Sequence, residues 1–178
     1  MIRSKEELRL YLEEDRLALG HKKTTPGFLG DEEWKFQRAL RYQEYYYNCG
    51  QGFFSRLAYF WFKFYTHHLS VKLGFTISIN TCGPGLQLPH RGTIIINDQA
   101  KIGKNCRIHA CVNIGAHKGK APKIGDNVYI GPGAKLFGDI VIADNVKIGA
   151  NAVVNRSFET PGARIVSPSA TELPSESK

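Results

Sequence analysis

Three of the chain's six histidines stand where chemistry could use them: His90 in LPHRGT, His109 in RIHACV and His117 in AHKGKAP. A neutral imidazole near pH 7 takes the proton of a poised hydroxyl well, so a histidine in such a place suits a general base. Imidazoles also ligate metals, and the same three side chains raise that alternative. The four cysteines, Cys49, Cys82, Cys106 and Cys111, contain no CxxC pair and are too sparse for a disulfide framework. They predict reduced thiols and a cytoplasmic chain. What separates the three histidines from one another is the pattern around them.

From Ile96 an aliphatic residue recurs every six positions, at Ile96, Ile102, Ile108 and Ile114. After a ten-residue step it resumes at Ile124, Ile130, Leu136, Ile142, Ile148 and Val154. Four residues after most of these stands a second apolar residue, usually smaller, as at Ala100, Cys106, Val112, Val128, Ala134 and Val146. A period of six fits neither a helix nor an alternating strand. It predicts a short strand and a corner, repeated, with three sides closing a triangular coil of roughly 18 residues. Stacked coils then share one column of isoleucines as their core. Glycine often follows the aliphatic, as in Ile102-Gly103, Ile124-Gly125 and Ile130-Gly131, and is expected to give the corner conformational freedom.

Residues in excess of the period must leave the coil. Four are added between Ile114 and Ile124, within AHKGKAP, and two between Leu88 and Ile96, around LPHRGT. The first insertion is expected to carry His117 on a mobile Gly/Lys loop, and the second to push His90 out of the coil wall. His109 follows an inward isoleucine and is expected to face a groove.

The runs GPGLQLPHRGTIIINDQAKIGKNCRIHACVNIG and PKIGDNVYIGPGAKLFGDIVIADNVKIGANAVV resemble the left-handed β-helix, hexapeptide-repeat acyltransferases. Within them the chain is most similar to serine O-acetyltransferases and the related sugar O-acetyltransferases of surface-polysaccharide pathways. The resemblance spans roughly residues 77–166. It implies a mainly β protein, a single-stranded left-handed parallel β-helix, preceded here by an α-helical N-terminal region. It also implies a homotrimer with sites between subunits, and acetyl-CoA lying along the groove between neighbouring prisms. His90 matches the family's catalytic histidine, just before a TGIVVG-like segment that reads Gly92-Thr93-Ile94-Ile95-Ile96-Asn97 here. By that resemblance His90 deprotonates the acceptor, which attacks the thioester directly; a thiolate leaves readily, so no metal is needed. Asn80 and His109 are the expected acceptor-binding residues. Gly115, Ala116, Pro132, Lys147 and Ala150 match the positions that hold CoA. The three histidines do not have the spacing of the zinc site in left-handed β-helix carbonic anhydrases, and no metal site is expected.

The departures from the family bear on the acceptor. Serine acetyltransferases have an aspartate directly before the catalytic histidine, where this chain has Pro89. Their second aspartate falls in a stretch that reads Ile77-Ser78-Ile79-Asn80 here, and their Arg-His-Pro-Lys-Ile segment reads Lys120-Ala121-Pro122-Lys123-Ile124. A closing GVPAR motif is replaced by Ile165-Val166-Ser167-Pro168-Ser169. The ammonium and carboxylate of serine need counter-charges in a site, since a buried unpaired charge is costly. The sequence therefore predicts a sugar hydroxyl of surface-polysaccharide biosynthesis as acceptor. Serine, as in cysteine biosynthesis, is the alternative, and a non-catalytic β-helical scaffold is the second.

Residues 1–75 have another character. They hold 17 of the 20 aromatic residues, and the sequence predicts three helices in them. Ser4 and Glu7 form a capping box for the first, Asp31 is expected to cap the second, which runs to about Asn48, and the third covers 53–73. That third helix is apolar nearly all round, which predicts burial against the prism or a neighbouring subunit. Its aromatics and basic residues also suit peripheral contact with the inner face of a membrane. The domain plan is thus 1–75 helical, 76–166 β-helix and 167–178 a flexible tail. The formal net charge is +8, and no Asp or Glu occurs from Tyr45 through Asn97. This charge suits CoA phosphates or an anionic surface; with no nucleic-acid-binding motif, no nucleic-acid partner is expected. The charged N-terminus does not read as a signal peptide.

Overall fold

The computed structural model describes residues 1–167. Of the expected tail, all but Ser167 lies outside the described residues. Three helices come first: α1 (Lys5–Ala18), α2 (Glu32–Cys49) and α3 (Gly52–Leu73). Ser4 caps α1, its Oγ accepting from the Glu7 N–H at 3.2 Å. Glu7 reaches back to the Arg3 N–H at 2.6 Å. The expectation for Asp31 is corrected. It occupies the N-cap position of α2 with φ 56° but makes no capping bond, because its Oδ2 accepts from the Gly27 N–H instead.

Twelve short strands follow. In chain order they are β1 (Phe75–Ile77), β2 (Ile94–Ile96), β3 (Lys101–Ile102), β4 (Arg107–Ile108), β5 (Asn113–Gly115) and β6 (Lys123–Ile124). Then come β7 (Tyr129–Ile130), β8 (Lys135–Phe137), β9 (Val141–Ile142), β10 (Lys147–Ile148), β11 (Val153–Val154) and β12 (Arg164–Ile165). They build three parallel faces of a solenoid. The first face is β1-β2-β5-β8-β11, the second β3-β6-β9, and the third β4-β7-β10-β12. Lys135 of β8 pairs with Val153 of β11, one full coil on, and Lys123 of β6 with Val141 of β9. The six-residue aliphatics point inward: Ile96, Ile108, Ile114, Ile130, Leu136, Ile142, Ile148 and Val154 are all buried in one cluster. The hexapeptide reading of the sequence is thus the architecture of the protein.

The expected reason for the corner glycines is corrected. Left-handed φ falls three residues after the inward aliphatic, at Asn105, Asn127, Asn145, Cys111, Gly133 and Asn151. The glycines directly after the aliphatic are needed for close approach. A Cβ on Gly103 would lie 2.6 Å from the backbone oxygen of Gly125 in the next coil. Gly103→Ala is therefore expected to lower the free energy of unfolding by about 1–3 kcal/mol through overpacking. Urea titration checks this, and a loss within error would refute the close-approach account.

The helices are joined to the first coil by a buried ion cluster. Arg41 of α2 donates to Asp15 of α1 (Nε to Oδ2, 2.8 Å) and to Glu44 (Nη1 to Oε2, 3.1 Å). It also donates to the carbonyls of Cys82 and Gly83 at 2.9 and 2.7 Å. The two carboxylates reach on to the backbone N–H groups of Leu86 and Asn80. Burial works against the guanidinium's charge, but Asp15 and Glu44 outweigh it and hold the Arg41 pKa above its ordinary value.

Burial of α3 against its own prism is limited to one end. Thr66, Leu69 and Leu73 are buried, and Phe62 stacks on Tyr42 and Tyr46 of α2. Phe53, Phe54, Leu57, Phe60, Trp61 and Phe64 are exposed. The uniform apolar character of this helix overstates its intramolecular contact, because α2 and the first coil together cover only one side of it. Among the described residues no helix is long and apolar enough to cross a membrane.

Candidate active site

His90 stands on the corner between the third and first faces, in the first coil. Gln87 bridges to Arg107 on the third face, Leu88 is buried, and the chain then bulges before β2 begins at Ile94. The two surplus residues fall in this bulge, and His90 is exposed on it. Its neighbours are fastened. Arg91 binds Glu32 (Nη2 to Oε2, 3.0 Å) and Glu33 (Nε to Oε1, 3.2 Å) at the start of α2. Gly92, at φ 129°, donates its N–H to the Leu73 carbonyl at 3.2 Å. A side chain there would be strained and would also meet the Ala110 Cβ at 3.0 Å. The sequence thus makes an extruded histidine, and the helices hold it.

His109 occupies the same corner one coil on, its ring centroid 5.8 Å from that of His90. Tyr129 continues the column at 5.1 Å from His109. The Arg107 Nε donates to the His109 Nε2 at 3.1 Å, so that nitrogen is an acceptor and the ring proton sits on Nδ1. Burial, then the charges of Arg107 and His90, lower the His109 pKa below the usual histidine value. His109 is therefore a neutral donor beside His90. Arg107 was not singled out from the sequence, although its place two residues before His109 on one strand face was readable.

Beside this corner lies a recess of about 270 Å³ whose lining includes Asp31, Glu33, Trp34, Gln87, Pro89 and Arg107. His21 stacks on Trp34 at 4.1 Å. The buried Trp34 Nε1 has no hydrogen-bond partner among the described residues. Nothing in the sequence signalled this recess, because its walls come from the helix ends and from the first two coils.

The remaining predicted residues fall into two groups. Pro132 and Ala150 follow β7 and β10 and share the corner of His90 and His109; both are exposed, as is Lys147 on the third face. Gly115 instead ends β5 on the first face, and Ala116 and Asn80 lie on the corner after that face. Asn80 is engaged there: its side-chain amide pairs reciprocally with that of Asn48 at 2.8 and 3.0 Å. One chain by itself does not bring Asn80, Gly115 or Ala116 together with His90. The loop after Ala116, expected to be mobile, is a tight hairpin. His117 and Lys120 exchange backbone bonds of 2.8 and 3.1 Å around Lys118 and Gly119, both at positive φ. Lys120 pairs with Asp139 at 2.5 Å, and that bond holds the Asp139 carboxyl below the usual range. Among the described residues no group of three or more His, Cys, Asp or Glu is placed to hold a metal ion.

Comparison with known proteins agrees with this architecture. Residues 121–156 match the family described as bacterial transferase hexapeptide (six repeats). A serine acetyltransferase of Helicobacter pylori is 38% identical over 93 residues, covering 50% of this chain and 54% of that protein. The chain thus spans about half the length of that relative. Among solved structures, the serine acetyltransferase of Neisseria gonorrhoeae superposes with a TM-score of 0.73 at 26% identity, covering 98% of this chain and 69% of the other. The same enzyme in complex with serine gives 0.71 at 27% identity, covering 94% and 70%. By repeat, fold and sequence, the chain is a hexapeptide-repeat β-solenoid protein that resembles the serine acetyltransferases.

Proposed function

We propose that the chain is an acetyl-CoA-dependent O-acetyltransferase in which His90 is the general base. His90 takes the acceptor's hydroxyl proton as the oxygen attacks the thioester carbonyl. The C–S bond then breaks, and the departing thiolate recovers the proton from the imidazolium. No acyl-enzyme is formed. The observation that carries this reading is an exposed histidine on a bulge fastened by Arg91 and Gly92, with a neutral His109 donor beside it.

Pro132 and Ala150 would let the pantetheine arm lie close to that corner, and Lys147 would meet a phosphate. Gly115 and Ala116 could reach the same molecule only from a neighbouring copy, which supports the homotrimer; a sedimentation mass three times 19.9 kDa checks it.

Serine is the acceptor supported by the likeness to serine acetyltransferases. Charged groups lining the recess favour the same reading, since a zwitterion needs counter-charges. Asp31 and Glu33 offer carboxylates to an ammonium, and Arg107 a guanidinium to a carboxylate. A sugar hydroxyl of a surface polysaccharide is the second reading. It is favoured by Pro89 directly before His90 and by the engagement of Lys120 with Asp139.

Thiol release from acetyl-CoA with serine and with a panel of sugars separates the two. Serine turnover is expected, with kcat/KM for serine falling about tenfold to a hundredfold in Asp31→Asn and Arg107→Gln as a charged partner is lost. Turnover with a sugar and none with serine would install the second reading. Absence of CoA binding in calorimetry would leave a β-helical scaffold.

A further inference from the structure

Helix α3 turns its apolar side away from the protein. Phe53, Leu57, Phe60 and Phe64 form one stripe at i, i+4, i+7 and i+11, and all four are between 57% and 75% exposed. Phe54 (83% exposed) and Trp61 (65% exposed) widen the stripe on one flank, and Arg56 and Lys63 lie along the other. The opposite side is the one held by α2 and the first coil, through Phe62, Thr66, Leu69 and Leu73. An ordinary surface helix buries its apolar side; this one displays it. The six side chains present on the order of 800 Å² of apolar surface. That exceeds the few hundred Å² that monomeric surfaces usually leave open.

Charge decides what covers this face. Helix α3 contains no acidic residue, and none occurs from Tyr45 through Asn97. In an antiparallel two-fold pair of such helices the Arg56–Lys63 flank would meet itself, with no carboxylate on the helix to answer it. A layer of anionic headgroups answers both features, since its acyl boundary takes the aromatics and its phosphates the cations. Trp61 and Tyr59 are residue types that settle at this boundary. The helix is not long and apolar enough to span a membrane, as suits one lying in the surface plane.

We propose that α3 docks on an anionic lipid bilayer, with Phe53, Leu57, Phe60, Trp61 and Phe64 in the headgroup boundary and Arg56 and Lys63 on lipid phosphates. The solenoid would then work beside a lipid surface. This goes beyond acyl transfer and stands whatever the acceptor.

The test sediments the full chain with vesicles of phosphatidylcholine, with and without about 30% phosphatidylglycerol. Binding is expected on the anionic vesicles and at least about tenfold less on the neutral ones, weakening as salt rises through about 0.5 M. Trp61 emission should shift to the blue, and Trp61→Phe should abolish the shift, because Trp34 is already buried. The pair Phe60→Ser/Phe64→Ser is expected to lower partitioning about a hundredfold. The pair Arg56→Gln/Lys63→Gln is expected to lower it about thirtyfold. Both pairs should leave transfer to a soluble acceptor unchanged, so failure here is distinct from failure of the enzymatic reading. Wild-type protein that stays in solution with anionic vesicles, or binds neutral ones equally, would overturn the proposal. So would an oligomer mass that drops in Phe60→Ser/Phe64→Ser, which would assign the face to contact between copies.

Discussion

His90→Ala is expected to slow acetyl transfer by about 10²–10⁴-fold, the usual contribution of a positioned base. The same variant should bind CoA and unfold as the wild type does. The physical ground for this separation is the bulge. His90 is exposed on a segment whose shape is set by its neighbours, Arg91 on Glu32 and Glu33 and Gly92 on the Leu73 carbonyl. Truncating the imidazole removes a proton acceptor without removing a support. Steady-state thiol release reads the rate, calorimetry the CoA affinity and urea titration the stability. Activity within threefold of wild type would sink His90 as base.

Arg41→Ala is expected to lower the unfolding free energy by about 3–5 kcal/mol, because removing one partner leaves Asp15 and Glu44 as buried, uncompensated carboxylates. That is a large part of the roughly 5–15 kcal/mol that holds a domain together. All three side chains are buried, and the cluster ties α1 and α2 to the Cys82–Leu86 segment of the first coil. Arg41→Lys should restore only part of the loss. An ammonium keeps the charge but cannot reproduce a planar fork that serves Asp15, Glu44 and two carbonyls at once. Urea titration of both variants measures this. A loss below about 1 kcal/mol in Arg41→Ala would mean that the helices are held to the solenoid by their apolar contacts alone.

How much of the protein is legible in its sequence follows from where each interaction is encoded. The isoleucine period reports a repeating local geometry, so counting along the chain assigns Ile102, Ile124 and Ile142 to one face, and they form adjacent rungs of it. The surplus residues around His90 and after Ala116 are legible for the same reason, as departures from a count. The purpose of Gly103 is not legible, because a glycine chosen for a close neighbour and one chosen for a positive φ look alike in sequence. Asp31 misleads in the same way, because a capping side chain and one turned to the Gly27 N–H occupy the same place in the chain.

The solenoid, the extrusion of His90 and the three helices are written locally in the chain, since each rests on periodicity or on contacts within a few residues. Packing across the chain, by contrast, brings Asp31, Glu33 and Trp34 into a recess beside the His90 corner. It alone decided, too, that the aromatic side of α3 is left uncovered. These depend on how the helical segment seats on the first coil, through Arg41 and the Asn48–Asn80 pair. Residues so far apart in the chain leave no periodic trace, and their meeting is a property of packing alone.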